Sequence, residues 1–190
     1  MDIKEIKKKL GAQFSFLFDF INSIIKDLEL DKDAKLLDVG TGKGRMAIML
    51  ALNKFKVITG EPKGDDPEYA QKDWLKKAKK VNVDHLITFQ YFEAEKLPFE
   101  DNFFDAIFCM GSLHHINDKA VSFKEFLRTL KLHGKLCIFE PSLKLVEILR
   151  KEHPSHSDPE NPRDYIRNLP LKITKEYNGP FNVFIITKKN

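Results

Sequence analysis

The chain has 190 residues, enough for one well-buried domain and short of what two normally need, so a single domain is expected over residues 1–190. Its 32 Lys and Arg against 28 Asp and Glu leave a net charge of +4, a weak excess that makes nucleic acid unlikely as a partner without excluding it. The lysine bursts Lys7-Lys8-Lys9, Lys76-Lys77 and Lys79-Lys80 read as solvated helix faces rather than a phosphate-tracking patch.

In chain order, residues Asp2 to Leu10 and Gln13 to Leu28 read as helices, the second with Phe14, Leu17, Phe18, Ile21, Ile24, Ile25 and Leu28 spaced by three and four. Phe16 and Phe20 widen its apolar face. This helix either packs an ordinary core or places its extra aromatics over a pocket. Asp19, Asn22, Lys26 and Asp27 interrupt the segment, so no stretch reaches the roughly 20 apolar residues of a membrane span, and no small-residue cleavage site follows a short apolar core. Cytoplasmic location is the default expectation.

Lys35 to Val39 reads as strand one and Gly44 to Asn53 as the helix after it. Phe55 to Thr59 is strand two, Asp66 to Val81 a charged helix, Leu86 to Phe92 strand three and Ala106 to Met110 strand four. A helix over Ala120 to Leu130, a turn at Leu132-His133-Gly134-Lys135 and a fifth strand at Leu136 to Glu140 follow. Strands alternating with helices indicate α/β architecture, a Rossmann-like doubly wound parallel sheet with right-handed crossovers. Cys109 and Cys137 lie inside apolar strands, which suits reduced thiols and argues against a disulfide.

The last third departs from the alternation. Ser142 to Glu152 can form a short helix, but three prolines between Pro154 and Pro162 force the next segment into a loop. Leu171 to Tyr177 and Phe181 to Lys188 flank Asn178-Gly179-Pro180 as a C-terminal antiparallel hairpin. His153 and His156 give at most a weak metal hint, and no metal is expected.

The densest signal is Leu36-Leu37-Asp38-Val39-Gly40-Thr41-Gly42-Lys43-Gly44-Arg45. Glycines at alternate positions let the backbone turn tightly and lie against a ligand. Arg45 stands where a dinucleotide fingerprint would place its third glycine. The Gly-x-Gly-x-Gly spacing after an acidic residue resembles the first motif of class I S-adenosylmethionine-dependent methyltransferases. Phe92-Glu93-Ala94-Glu95-Lys96-Leu97-Pro98-Phe99 resembles that family's Gly-Asp-Ala-Glu-x-Leu-Pro-Phe segment, with Glu93 for Asp. Asp105 to Ile116, ending Met110-Gly111-Ser112-Leu113-His114-His115-Ile116, is similar to the fourth motif of its small-molecule branch, which includes type 11 and ubiquinone and menaquinone biosynthesis enzymes.

The resemblance implies a cofactor, S-adenosyl-L-methionine, and a site for it. Asp38 would orient the methionine amino group with the Gly40 carbonyl, beside Thr41, Gly42 and Gly44. Glu61, 21 positions after Gly40, would take the ribose hydroxyls. Glu93 and the Ala94 amide would take the adenine, and the Met110 and Gly111 backbone would line the pocket. The family usually runs from its ribose acid directly into a helix; here Pro62 to Pro67 intervenes, and Asp65 or Asp66 competes with Glu61 for the role. His115 or His114 can act as a base, or simply cap the next helix and pack the pocket wall. Residues 1–30 would cover the pocket, 35–140 form the cofactor-binding core and 141–190 shape the acceptor side.

The expected function is methyl transfer to a small-molecule acceptor. Two alternatives stay open: an RNA or protein acceptor, and a non-catalytic module that binds the cofactor. The short cap between Glu140 and the hairpin suits an open or modest pocket, or one closed by a second subunit in a homodimer.

Overall fold

The computed structural model describes residues 1–64 and 73–189. Two helices open the chain, α1 (Ile3–Leu10) and α2 (Ala12–Asp27). The Asp2 carboxylate caps α1 by accepting from the Glu5 amide at 2.8 Å, the arrangement that satisfies an otherwise orphaned donor at a helix start. The alternating part comprises β1 (Leu36–Val39), α3 (Arg45–Leu52), β2 (Val57–Glu61), α4 (Trp74–Lys80), β3 (Ile87–Tyr91), β4 (Phe104–Met110), α5 (Lys119–Thr129) and β5 (Leu130–Pro141). Helices α6 (Leu143–Leu149) and α7 (Arg163–Ile166) and strands β6 (Leu171–Tyr177) and β7 (Phe181–Lys188) complete it.

The seven strands form one sheet in the order β3-β2-β1-β4-β5-β7-β6. Strands β3 to β5 pair in parallel, and β7 joins β5 antiparallel before turning back from β6. This is the mostly parallel sheet with a C-terminal antiparallel pair that the sequence pattern implies. Strand order reverses between β1 and β4, which opens a crevice at their carboxyl ends.

Both faces of the sheet are covered, so its central strands carry apolar residues on both faces rather than alternately. Leu36, Ala106, Phe108 and Cys137 pack against the layer of α1, α2, α3 and α4; Leu37, Ile107, Cys109 and Ile138 pack against α5 and α7. The two cysteines therefore face opposite sides of the sheet and cannot bridge. Helix α3 is buried from Met46 to Ala51. Helix α2 buries Phe14, Leu17, Phe18, Ile21, Ile24 and Ile25 and is fastened to the final hairpin, where Asp27 accepts from Tyr177 and pairs with Lys175 at 2.9 Å. The ring of Phe20 explains Gly179: a Cβ there would come within 2.8 Å of it.

Four expectations need correction or addition. The predicted turn at 132–135 is not a break before strand five. Strand β5 starts at Leu130 and runs through it as a bulge, with Phe104 opposite Leu130 but Ala106 already opposite Lys135. Strand β2 lies two residues later than expected, at Val57–Glu61, which makes Glu61 its last residue. The short helix α7 was not anticipated. Of the helix expected over 66–81, Trp74–Lys80 is present, and residues 66–72, with Asp65 and Asp66 as alternative ribose acids, lie outside the described residues.

Candidate active site

The loop after β1 sits in the crevice between β1 and β4. The Gly40 and Thr41 amides both donate to the Gly60 carbonyl, at 2.9 and 3.3 Å, and the Gly44 amide donates to the Thr41 carbonyl at 2.7 Å. The loop is thereby wrapped over the end of β2. Its glycines do different things. A Cβ on Gly40 would lie 2.6 Å from Ser112 and one on Gly44 2.5 Å from Trp74, whereas Gly42, at φ +45°, faces open space. The first and last glycines admit neighbouring elements; the middle one keeps the loop surface bare.

Behind the loop, Asp38 is fully buried and accepts from the Thr59 hydroxyl at 2.8 Å, and the Thr59 oxygen lies 2.9 Å from that of Thr41. With the Thr59 proton committed to Asp38, Thr41 donates to Thr59. Burial pushes the Asp38 carboxyl up to about 7, against the pull of the Thr59 hydrogen bond. Its Oδ1 has no hydrogen-bond partner among the described residues. Asp38 supports the loop from inside and does not line the cavity in front of it.

That cavity, of about 710 Å³, unites several of the predicted cofactor residues with an apolar half. Gly40, Thr41, Gly42, Glu61, Met110, Gly111, His114 and His115 all line it. The Glu61 carboxylate, at the tip of β2, accepts from the Gly42 amide at 3.2 Å. Lys43 and Arg45 add positive charge on the same side, and burial lowers both of their pKa values. Arg45 is held by the Gln13 side chain at 2.7 Å, so the start of α2 reaches the glycine loop.

Besides Asp38, three predicted residues do not reach the cavity. Gly44 is taken up by the contact with Trp74 and the start of α3. Glu93 is exposed, its carbonyl accepting from the Lys96 amide at 3.1 Å, and Ala94 is buried in the core beside Leu97.

The other half of the cavity comes from segments far apart in sequence. Phe16 and Leu17 of α2, Leu145, Ile148 and Leu149 of α6, and Phe181 of β7 line it. Phe16 is 66 % exposed, so the second helix both packs a core and presents an aromatic ring to the pocket. His153 and His156 of the proline-rich loop also line the cavity. No group of three or more His, Cys, Asp or Glu among the described residues has metal-binding geometry.

The two motif histidines differ sharply. His114 is buried, and its Nδ1 lies 2.9 Å from Glu140 Oε2 and 3.2 Å from Oε1. His115 stands at the cavity wall, its ring 4.2 Å from that of His114 and 6.2 Å from that of His156. Partial burial, then the neighbouring His114, His156 and Lys119, bring its imidazole down to about 4, so it is neutral at pH 7. Glu140 was missed because it reads simply as the end of an apolar strand; a carboxylate inside such a run is the signal that was there to use.

Known proteins resemble this chain. A family model described as Methyltransferase domain matches residues 37–138. The chain is 32% identical over 111 residues to 27-O-demethylrifamycin SV methyltransferase of Amycolatopsis mediterranei, covering 58% of this chain and 40% of that protein. It is 32% identical over 126 residues to demethylmenaquinone methyltransferase of Chlorobaculum tepidum, covering 66% of this chain and 48% of that protein. The chain thus spans less than half the length of these two relatives. The crystal structure of the PH0226 protein from Pyrococcus horikoshii superposes with a TM-score of 0.74 at 18% identity, covering 95% of this chain and 93% of that one, a likeness of fold. With the matched region running from the strand before the glycine loop to the strand that carries Glu140, the chain belongs to the methyltransferase domain family.

Proposed function

We propose that this protein transfers the methyl group of S-adenosylmethionine to a small-molecule acceptor. The observation that carries the reading is the meeting of the bare Gly42 surface, Glu61 and the Met110-Gly111 backbone on one cavity at the sheet's switch point. The residues suit the cofactor. Space in front of Gly42 that a side chain would fill suits a ligand in van der Waals contact with the loop, and an acid at the end of β2 suits a ribose diol. Lys43 and Arg45 offer charge to a carboxylate, and the start of α3 adds its positive end.

When bound, S-adenosylmethionine supplies an electrophilic methyl on a sulfonium. The chain's own contribution is then to hold an acceptor in line with that methyl and exclude water, which Phe16, Leu145, Ile148 and Phe181 are placed to do. Asp38, through Thr59 and Thr41, keeps the loop in shape. Glu93 and Ala94, off the cavity wall here, are proposed for the adenine by resemblance alone.

A small acceptor fits the apolar half better than RNA does. Lys7, Lys9 and Lys77 are already paired with Asp19, Glu5 and Asp73 at 2.7, 3.1 and 2.9 Å, which leaves less free charge for phosphates. The two named relatives are themselves named for small acceptors, a rifamycin and a demethylmenaquinone. Calorimetric titration with S-adenosylhomocysteine, S-adenosylmethionine and NAD tests the reading: both sulfur nucleotides bind and NAD does not. Binding of NAD alone would overturn it.

A further inference from the structure

The sheet ends in β3 on one side and β6 on the other, and the two edges are built differently. An open edge offers unpaired backbone groups to any extended chain, and charges, prolines or bulges guard against that. Strand β6 has such guards: Lys172, Lys175 and Glu176 stand along it, and a register shift between Ile173 and Lys175 interrupts its ladder. Strand β3, Ile87-Thr88-Phe89-Gln90-Tyr91, has no charge, no proline and no shift. Its Tyr91 is 59% exposed, with the ring edge-on to that of Phe89 at 5.1 Å and Trp74 of α4 on the far side of Phe89 at 5.8 Å.

Alternate residues of a parallel strand turn their backbone groups to the same neighbour. The Phe92 amide donates to the Glu61 carbonyl at 3.2 Å, so Thr88 and Gln90 face β2 while Ile87, Phe89 and Tyr91 turn outward. The Ile87 amide is taken by the Asp84 carbonyl. The Ile87 carbonyl, both Phe89 groups and the Tyr91 amide have no hydrogen-bond partner among the described residues.

We propose that the β3 edge is an interface between two copies of this chain, paired antiparallel about a two-fold axis at Phe89, so that their sheets run on as one. In that register the two Phe89 residues exchange both of their hydrogen bonds, and each Tyr91 amide donates to the partner's Ile87 carbonyl. The open groups thus match one another; the Tyr91 carbonyl alone stays with water, because its counterpart is the Ile87 amide already in use. On the α4 face, Tyr91 packs against the partner's Ile87 and Phe89 against its own copy, the aromatic and β-branched pairs that suit neighbouring strands. On the other face each Thr88 lies opposite the partner's Gln90.

Charge favours a second copy as the occupant. An uncharged strand paired with itself sets no like charges opposite each other. Antiparallel pairing also brings the start of one strand, which follows exposed Lys79 and Lys80, to the end of the other, which precedes exposed Glu93. Tyr91 is the register partner of Glu61, so the interface braces the strand that carries the proposed ribose acid. Two five-residue strands alone bury less than the roughly 1,200 Å² of a standard interface, so the dimer should dissociate on dilution.

Sedimentation equilibrium of the full chain over about 5 to 500 µM, at low salt, tests this. The wild type should pass from monomer to dimer across that range. The double variants Thr88→Lys with Gln90→Lys, and Thr88→Glu with Gln90→Glu, put like charges opposite each other only in the proposed register, and neither position lines the cavity. Each should associate about tenfold or more weakly than the wild type, and a one-to-one mixture of the two should recover the dimer. Hydrogen exchange of the wild type supplies a readout that needs no variant: the Phe89 and Tyr91 amides should exchange more slowly as concentration rises. A wild type that stays monomeric throughout overturns the proposal and leaves the edge to a strand of another protein. A dimer that both double variants form as well as the wild type overturns it too, as does exchange at Phe89 and Tyr91 that is independent of concentration.

Discussion

The two halves of the cavity are built on different principles. The glycine-loop half comes mainly from the stretch between Gly40 and Glu61, closed by Met110 and Gly111, and is fixed by hydrogen bonds to strand ends. The apolar half is assembled from α2, α6, the proline-rich loop and β7, held together by side-chain packing and by ties such as Asp27 to Lys175. Rigid strand ends make a site of fixed shape; helices and a loop laid over the sheet make one whose exposed members, such as Phe16, can be changed without touching the core. The first half should thus be intolerant of substitution in binding, and the second should show its changes elsewhere.

The largest effect falls on Gly42. Gly42→Val should abolish S-adenosylhomocysteine binding in calorimetry, because the new side chain enters the cavity and meets no protein atom within 4 Å of its Cβ. The fold should survive with a loss of about 1–2 kcal/mol for a non-glycine residue at φ +45°. Glu61→Ala comes next. Loss of its acceptor oxygens, and of its hold on the Gly42 amide, should weaken binding about ten- to a hundredfold, as expected for one or two hydrogen bonds to a charged group.

Smaller effects appear in stability against pH. Asp38 keeps its proton in the folded state up to about 7, against an ordinary value of 3.8, so the folded protein binds more protons between those values and stability falls as pH rises through them. His115 has the opposite sign. Its folded value near 4 lies below the ordinary 6.5, so the unfolded chain binds more protons there and stability rises with pH. The two slopes oppose each other across nearly the same window. Between about pH 4 and 6.5 the melting temperature of Asp38→Asn should climb more steeply than that of the wild type, and that of His115→Gln should climb less or fall. Parallel curves for all three proteins would refute both assignments.

The smallest effect sharpens the comparison from the other side. Phe16→Ala removes a ring that is 66 % exposed and belongs to the apolar half, so S-adenosylhomocysteine affinity and melting temperature should stay close to those of the wild type. A large loss of affinity would show that the cofactor extends across both halves.

Much of this was legible along the chain because it is local. The path from Leu36 through the glycines to Glu61 is short, and each glycine has a backbone reason to be there, so the strand, loop and helix could be read residue by residue. The turn at 132–135 misled because Gly134 and its polar neighbours mark either a reversal or a bulge, and pairing with β4 decided for the bulge. Glu93 misled in another way: its motif survives, yet its backbone turns onto Lys96 and leaves the side chain in solvent.

By itself the sequence determined the strand and helix order, the switch-point loop and the acid at the end of β2, since periodicity, glycine spacing and apolar runs act over a few residues. Only the tertiary structure decided that Glu140 would meet His114 across 26 positions and that Phe16, Leu145 and Phe181 would share a wall. It also decided that the proline-rich loop would lay His156 over the pair. Such encounters depend on how the sheet twists and how the helices pack on it, and no local pattern of residues encodes the partner that a buried carboxylate will find.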